Sequence, residues 1–328
     1  MNDAATFSRT GLKPWVLIAL LYACAPLAAG ATPYVNQNVE ITVLSTNLAE
    51  LHGRGEWGWS ALIKSDGRCV LFDTGNHPDT VLANAEVLGV DLSCITDVVL
   101  SHHHADHSGG VLSIYAAIGG EKDRFARVHV AQGYFLERPR DDGSEGNIMI
   151  AARKELETKG VKFNIYDAAT EILPGMWATG PIERVHPEKN YPTFFNVKTD
   201  AGIEVDWIPE SQGLAILTEE GFVVVLGCGH AGVVNTLTHV QNVIDRKPIA
   251  AVMGGFHLFN ANQETLDWVG ERLAEIAPKH VMGAHCTGVQ PLYEIRKGAN
   301  MNRKHAVIGS VGATYKSGEG FTPGMLAR

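Results

Sequence analysis

The sequence contains no dense cluster of positive charge after its first residues, no low-complexity linker and no short-period repeat. Because lysine and arginine do not cluster beyond residue 31, a nucleic-acid partner is not expected. The absence of a linker or repeat predicts that residues 32–328 form a single domain. A short exposed tail is predicted after about residue 297.

Cysteine is also scarce, with five in 328 residues. The four beyond residue 31 are scattered, and their positions do not resemble a disulfide framework. Cys228 and Cys286 each lie within two residues of a histidine that is a candidate metal ligand. We therefore interpret these two cysteines as thiols that line a site. Cys69 and Cys94 have no such setting.

The N-terminal segment has the three parts of a secretory signal peptide. Arg9 and Lys13 precede an uncharged apolar run, 15–29, which ends in small residues at Ala29-Gly30-Ala31. The run is short for a membrane span of about 20 residues. Export to the periplasm or the medium, with residues 1–31 removed, is therefore predicted. Membrane attachment is expected only through an uncleaved signal or through lipidated Cys24.

Apolar runs and turn signals predict an alternation of strands and helices. Strands are predicted at Val39–Leu44, Trp57–Ile63, Cys69–Phe72, Ile95–Leu100, Val128–Ala131, Val161–Tyr166, Leu214–Leu217, Phe222–Leu226, Ile249–Met253 and His280–Gly283, and helices at Asp79–Leu88, Val111–Ala116, Ile148–Thr158, Ala231–Ile244 and Gln263–Ile276. Strands and hairpins in each half predict an α/β fold, a four-layer αββα sandwich of two mixed β-sheets with helices outside. Exposed loops are predicted at Arg138–Asn147 and Pro187–Thr193.

The most informative segment, 101–110, reads Ser-His-His-His-Ala-Asp-His-Ser-Gly-Gly. It follows a predicted buried strand, and α/β sheets place ligands at the carboxyl ends of their strands. Imidazoles and carboxylates are ligands suited to zinc. The spacing can turn His102 and His104 toward one ion, and Asp106 and His107 toward a second. The alternative is a solvated or adventitious metal-binding His tract.

Three further histidines follow apolar strands and have glycines beside them. They are His230, His257 and His285. Glycine permits the close backbone approach that a crowded site requires. These histidines are therefore predicted to complete the site, whereas His103 is expected to point away from the ions.

These motifs resemble the metallo-β-lactamase fold superfamily, through Val70-Leu71-Phe72-Asp73-Thr74-Gly75 and through the His-x-His-x-Asp-His pattern at 102–107. The strings Gly227-Cys228-Gly229-His230-Ala231-Gly232, Gly254-Gly255-Phe256-His257-Leu258 and His285-Cys286-Thr287-Gly288 are similar to the branch of dihydropterin ribofuranosyl-aminobenzene phosphate synthases. The resemblance implies that His102, His104 and His230 bind one ion and that Asp106, His107 and His285 bind the other. It implies that Asp73 holds the ligand loop.

One position departs from the pattern of the superfamily. Many of its hydrolases have an aspartate that bridges the ions, in a Gly-Asp pair, where this chain reads Gly227-Cys228. The bridge is therefore missing, or it is supplied by Cys228, His230 or Glu210. One or two Zn²⁺ ions are expected, with Mn²⁺ or Fe²⁺ as alternatives.

The site predicts hydrolysis of an ester, lactone, phosphoester or amide in a small-molecule substrate. Asp106 would orient the attacking water and accept its proton, and His257 would donate a proton to the leaving group or bind the substrate. One alternative is a transferase like the similar synthases, although an export signal argues against pterin biosynthesis. A non-catalytic metal- or ligand-binding protein is the other. The sequence makes no prediction of the substrate or the oligomeric state.

Overall fold

The computed structural model describes residue 1, residues 33–121 and residues 123–325. The predicted signal peptide, residues 1–31, lies outside the described residues apart from Met1. Within these ranges, no helix is both long enough and apolar enough to cross a membrane.

Seventeen strands and seven α-helices make up this part of the chain. The strands are β1 (Val39–Ser45), β2 (Ser60–Ser65), β3 (Arg68–Phe72), β4 (Asp97–Val99), β5 (Arg127–Ala131), β6 (Lys162–Tyr166), β7 (Thr170–Leu173), β8 (Met176–Ala178), β9 (Asn196–Thr199), β10 (Gly202–Val205), β11 (Gly213–Thr218), β12 (Gly221–Leu226), β13 (Ile249–Gly254), β14 (His280–Gly283), β15 (Ala306–Ile308), β16 (Thr314–Lys316) and β17 (Gly320–Thr322). The helices are α1 (Thr80–Leu88), α2 (Ala105–Ser108), α3 (Val111–Ile118), α4 (Met149–Thr158), α5 (Val233–His239), α6 (Gln263–Ile276) and α7 (Val289–Gly298), with a π-helical turn at Val240–Ile244 and a 3-10 turn at His285–Thr287.

The predicted αββα sandwich of two mixed sheets is confirmed. One sheet has eight strands in the order β17-β16-β1-β2-β3-β4-β5-β6, and the other has seven in the order β15-β14-β13-β12-β11-β8-β7. In each sheet a hairpin is followed by parallel strands, β3 to β6 in the first and β12 to β15 in the second. A separate ribbon pairs β9 with β10.

Three apolar layers hold the sandwich together because each strand of the two sheets has apolar residues where it faces a neighbouring layer. The central layer lies between the sheets and includes Trp59, Phe72, Val225 and Met253. A second layer includes side chains from α1, α3 and α4 and from the first sheet. The third includes side chains from α5, α6 and α7 and from the second sheet.

Two predictions, one about the C-terminal segment and one about the cysteines, are wrong. The segment beyond 297 is not an exposed tail: β15 pairs with β14, and β16 pairs with β1. Its strands are only three residues long, which is too short for a recognisable apolar alternation.

Cys69 and Cys94 form a disulfide across 25 residues, from β3 to the segment before β4. Their separation in sequence gave no sign of this pairing, since parallel β3 and β4 bring them together.

The two loops predicted to be exposed are also partly buried. Arg138 and Asn147, at the ends of the first loop, are 4% and 1% exposed, and Glu188 in the second loop is 5% exposed. Polar composition indicates a loop but does not show whether its side chains have buried partners.

The parallel strands position the functional loops. The carboxyl ends of parallel strands meet at one edge of a sheet, and here the two sheets present those edges together. The candidate residues all follow such strand ends: Asp73 after β3, Ser101 to His107 after β4, Cys228 and His230 after β12, His257 after β13 and His285 after β14.

Candidate metal centre

The first of two ligand groups consists of three imidazoles. His102 and His104 follow β4 in one sheet, whereas His230 follows β12 in the other. One nitrogen from each lies within 4.8 Å of the others, and His102 Nε2 lies 3.0 Å from His104 Nδ1. Three converging imidazoles are a ligand set that zinc takes in proteins.

The second group combines Asp106 and His107 from α2 with Cys228 and His285 from the second sheet. His107 Nε2 lies 3.0 Å from Cys228 Sγ, and Asp106 Oδ2 lies 3.2 Å from His285 Nε2. The structure therefore brings all six predicted metal ligands together, in the two sets that the resemblance implies, and adds a thiol to the second.

Asp73 connects the two ligand groups, because it contacts His107 directly and His102 through Ser101. Its carboxylate accepts hydrogen bonds from Ser101 N and Ser101 Oγ and pairs with His107 Nδ1, all at 2.7 Å. Ser101 Oγ in turn lies 3.0 Å from His102 Nδ1. Because these contacts engage the Nδ1 atoms of both rings, the Nε2 atoms of His102 and His107 are left available as metal ligands.

Gly227 lets the second sheet approach this arrangement closely. A Cβ atom at position 227 would collide with Ser101 Oγ and would also lie closer to the Asp73 carboxylate than van der Waals contact allows. Any residue with a side chain would therefore displace the group that orients His102 and His107.

The two imidazoles that follow strands of the second sheet, those of His230 and His285, are also oriented through their Nδ1 atoms. His230 Nδ1 lies 2.5 Å from the carbonyl oxygen of Asn190, and His285 Nδ1 lies 3.2 Å from Asn47 Oδ1. Since both partners are acceptors, each Nδ1 carries the proton and each Nε2 presents its lone pair.

The residues fit divalent metal ions. Burial lowers the pKa values of His102, His104 and His230 well below the usual value for histidine, so these rings are neutral and can coordinate a cation. Among the described residues, the buried Nε2 atom of His230 has no hydrogen-bond partner. An unpaired buried acceptor is costly, and a bound cation would satisfy it.

Cys228 and Glu210, two of the proposed replacements for the missing aspartate, have different surroundings. The thiol of Cys228 belongs to the second ligand group. Glu210, one of the three alternatives for the bridge, belongs to neither ligand group, because its oxygens lie 2.7 Å from Arg138 and 2.7 Å from His103 Nδ1. Burial would raise the pKa of Glu210, but Arg138 and His103 overcome this and lower it to about 2. His103 thus points away from the ligand groups, as predicted.

A cavity of about 1480 Å³ opens over both groups, and its lining includes His104, Asp106, Cys228, His230 and His257. The His257 ring lies 4.5 Å from the ring of His230, measured between centroids. Burial lowers the pKa of His257 to about 4, so its imidazole is neutral at pH 7.

Two residues at the site were missed from the sequence. Asn190 orients His230, and the Glu188 carboxylate accepts a 2.7 Å hydrogen bond from the backbone N–H of Asn235 in α5. Burial raises the pKa of Glu188 to about 7. Both lie in a loop whose composition predicts exposure, and Asn190 acts through a backbone carbonyl that any residue could provide.

An αββα sandwich with histidine and carboxylate ligands at the shared sheet edge defines a class of metal-binding proteins. A family model for the metallo-beta-lactamase superfamily matches residues 56–239. The chain belongs to this superfamily, which confirms the resemblance drawn from the motifs.

Two proteins of Methanocaldococcus jannaschii are similar over most of their length. One, 7,8-dihydropterin-6-methyl-4-(beta-D-ribofuranosyl)-aminobenzene-5'-phosphate synthase, is 29% identical over 76% of this chain and 88% of its own. An uncharacterised protein of the same organism is 24% identical over 78% of this chain and 93% of its own. Among solved structures, Tm1679, a metal-dependent hydrolase of the beta-lactamase superfamily, has a TM-score of 0.68 and 27% identity, and covers 84% of this chain and 98% of its own.

Replacement of Asp73 by asparagine should weaken zinc binding about 10- to 100-fold, because the amide cannot accept from Ser101 and His107 as the carboxylate does. A competition titration with a chromophoric chelator measures the affinity. Asp97→Asn is the matched control, since Asp97 is equally buried and pairs with His129 at 2.8 Å but lies at the opposite end of β4. The control should lower stability and leave zinc affinity unchanged; equal losses in both variants would contradict the role of Asp73.

Cys228→Ser should weaken the binding of zinc by the second ligand group, because a hydroxyl is a far poorer zinc ligand than a thiolate. In the cobalt(II) form, the wild type should show a near-ultraviolet thiolate-to-cobalt absorption that the variant lacks. Cys286→Ser, which alters the neighbouring buried thiol, should leave both the zinc affinity and the absorption unchanged. Persistence of the absorption in Cys228→Ser would exclude Cys228 as a ligand.

Proposed function

We propose that the protein is a metal-dependent hydrolase that acts on a small-molecule ester, lactone, phosphoester or amide. The observation that carries this proposal is the convergence of two ligand groups, from both sheets, at the base of one open cavity. Zinc is the proposed metal, since imidazole and thiolate ligands favour it over Mn²⁺, and Fe²⁺ is the next candidate.

Divalent ions bound there would lower the pKa of water and polarise a substrate oxygen. Asp106 is proposed to orient the attacking water as an ionised carboxylate and to accept its proton. Burial alone would raise the pKa of its carboxyl group, but His107 and His285 overcome this and lower it. Asp106 is therefore ionised at neutral pH, and it also lines the cavity.

His257 is proposed as a substrate-binding residue. It was predicted either to protonate the leaving group or to bind substrate, and a pKa of about 4 favours the second role. A neutral imidazole donates one hydrogen bond without carrying a charge into the cavity.

The similarity to the M. jannaschii synthase supports a second candidate, a transferase that condenses an aminobenzoate derivative with a pterin pyrophosphate. Formation of the condensation product from these two compounds would favour this candidate over hydrolysis. A metal- or ligand-binding protein without turnover is the third possibility.

Zinc-loaded protein should hydrolyse at least one member of a panel of carboxylic esters, lactones, phosphoesters and amides. His104→Ala should reduce the rate at least about 100-fold, because it removes a metal ligand. His305→Ala is the matched control, since His305 is exposed and does not line the cavity. If neither hydrolysis nor condensation occurs with the metal fully loaded, the binding protein becomes the better account.

We further propose export to the periplasm or the medium. The signal-like residues 1–31 support this, and so does the Cys69–Cys94 disulfide, because disulfides persist in oxidising compartments.

Fractionation and intact-mass measurement should find a mature chain beginning at Thr32, and thiol labelling should modify only Cys228 and Cys286 after denaturation. A full-length, fully reduced chain in the cytoplasm would contradict export.

A further inference from the structure

The large apolar side chains that line the cavity are all aromatic. Among the described residues that line it, there is no leucine, isoleucine, valine or methionine. The large apolar side chains are Trp57, Tyr191, Phe194, Phe195, Phe259 and Trp268. A pocket for an alkyl chain is usually lined by flexible aliphatic side chains as well, whereas rigid rings present flat faces and edges of opposite partial charge.

Two aromatic pairs lie directly beside the metal centre. The ring of Trp57 lies 5.5 Å from that of Phe259 and 5.1 Å from that of His285, in the second ligand group. The ring of Phe195 lies 4.5 Å from that of Phe194 and 5.9 Å from that of His104, in the first group. Each ligand group therefore has its own aromatic neighbour.

These rings are unusually accessible for large apolar side chains. The exposed fractions are 48% for Trp57, 41% for Phe259, 75% for Phe194 and 47% for Phe195. Contiguous exposed apolar surface marks a binding site, and a ligand that covered these rings would remove that surface from water. The cavity reaches from this surface to the ligand groups.

We propose that the substrate carries an aromatic ring next to the bond that is broken, and that Trp57, Phe195 and Phe259 are the residues that select for it. The ring would pack against these side chains while the reacting group lies near His104 and Asp106, which line the cavity. This inference deepens the proposed hydrolase function and rests on it for the identity of the reacting group, but ring binding can be measured without turnover.

The test compares two probes of nearly equal size, benzylphosphonate and cyclohexylmethylphosphonate, which differ in the π-system. Calorimetric titration of the zinc-loaded full chain should show that benzylphosphonate binds about three- to tenfold more tightly, the range expected for one aromatic contact. Trp57→Leu and Phe195→Leu should each reduce this ratio toward one, while the affinity for inorganic phosphate and the zinc content stay unchanged. Tyr293→Leu is the matched control, because Tyr293 is similarly exposed on α7 but does not line the cavity.

Equal affinity for the two probes would overturn the proposal, as would a preference that survives both leucine variants or a failure of benzylphosphonate to bind. The hydrolase assay separates this result from failure of the function. Hydrolysis without a ring preference would overturn only the inference that the substrate carries an aromatic ring. A ring preference without hydrolysis or condensation would support that inference and would contradict the proposed hydrolase function.

Discussion

The whole centre depends on one buried carboxylate, that of Asp73. It is fully buried at the end of β3, and it accepts from the loop that follows β4 through both the backbone and the side chain of Ser101. Through Ser101 and His107 it sets the direction of one imidazole in each ligand group. A buried carboxylate needs hydrogen-bond partners to offset the cost of its desolvation. Here those partners are Ser101 and His107, so the same hydrogen bonds also hold the metal ligands in place.

The other two imidazoles come from the second sheet and are oriented by residues elsewhere in the chain, so neither half of the chain holds a complete centre. His230 donates a hydrogen bond to Asn190, and His285 donates one to Asn47. Both asparagines are far from these histidines in sequence. Neutral imidazoles, a carboxylate and a thiol gathered in a buried space would be a net cost without a cation. Metal binding is therefore expected to stabilise the folded chain, and the stabilisation joins both halves.

The fold and the ligands were predictable because both depend on local patterns. Apolar runs ending in glycine and histidine marked the strand ends, and α6 and β14 have the predicted bounds, Gln263–Ile276 and His280–Gly283. The failures have a common physical cause, which is that the deciding contacts are distant in sequence. Cys94 meets Cys69 only after β3 and β4 pair. The carboxylate of Glu210 forms a hydrogen bond with Arg138 and belongs to neither ligand group.

The absence of a side chain at Gly227 has a consequence for which substitutions the edge between the sheets can accept. The end of β12 lies against Ser101 so closely that a Cβ atom at position 227 would collide with it. Ser101 also donates to Asp73, which pairs with His107, so one close contact between the sheets supports ligands of both groups. Enlarging either residue is therefore expected to lower the metal affinity of both groups together rather than of one alone.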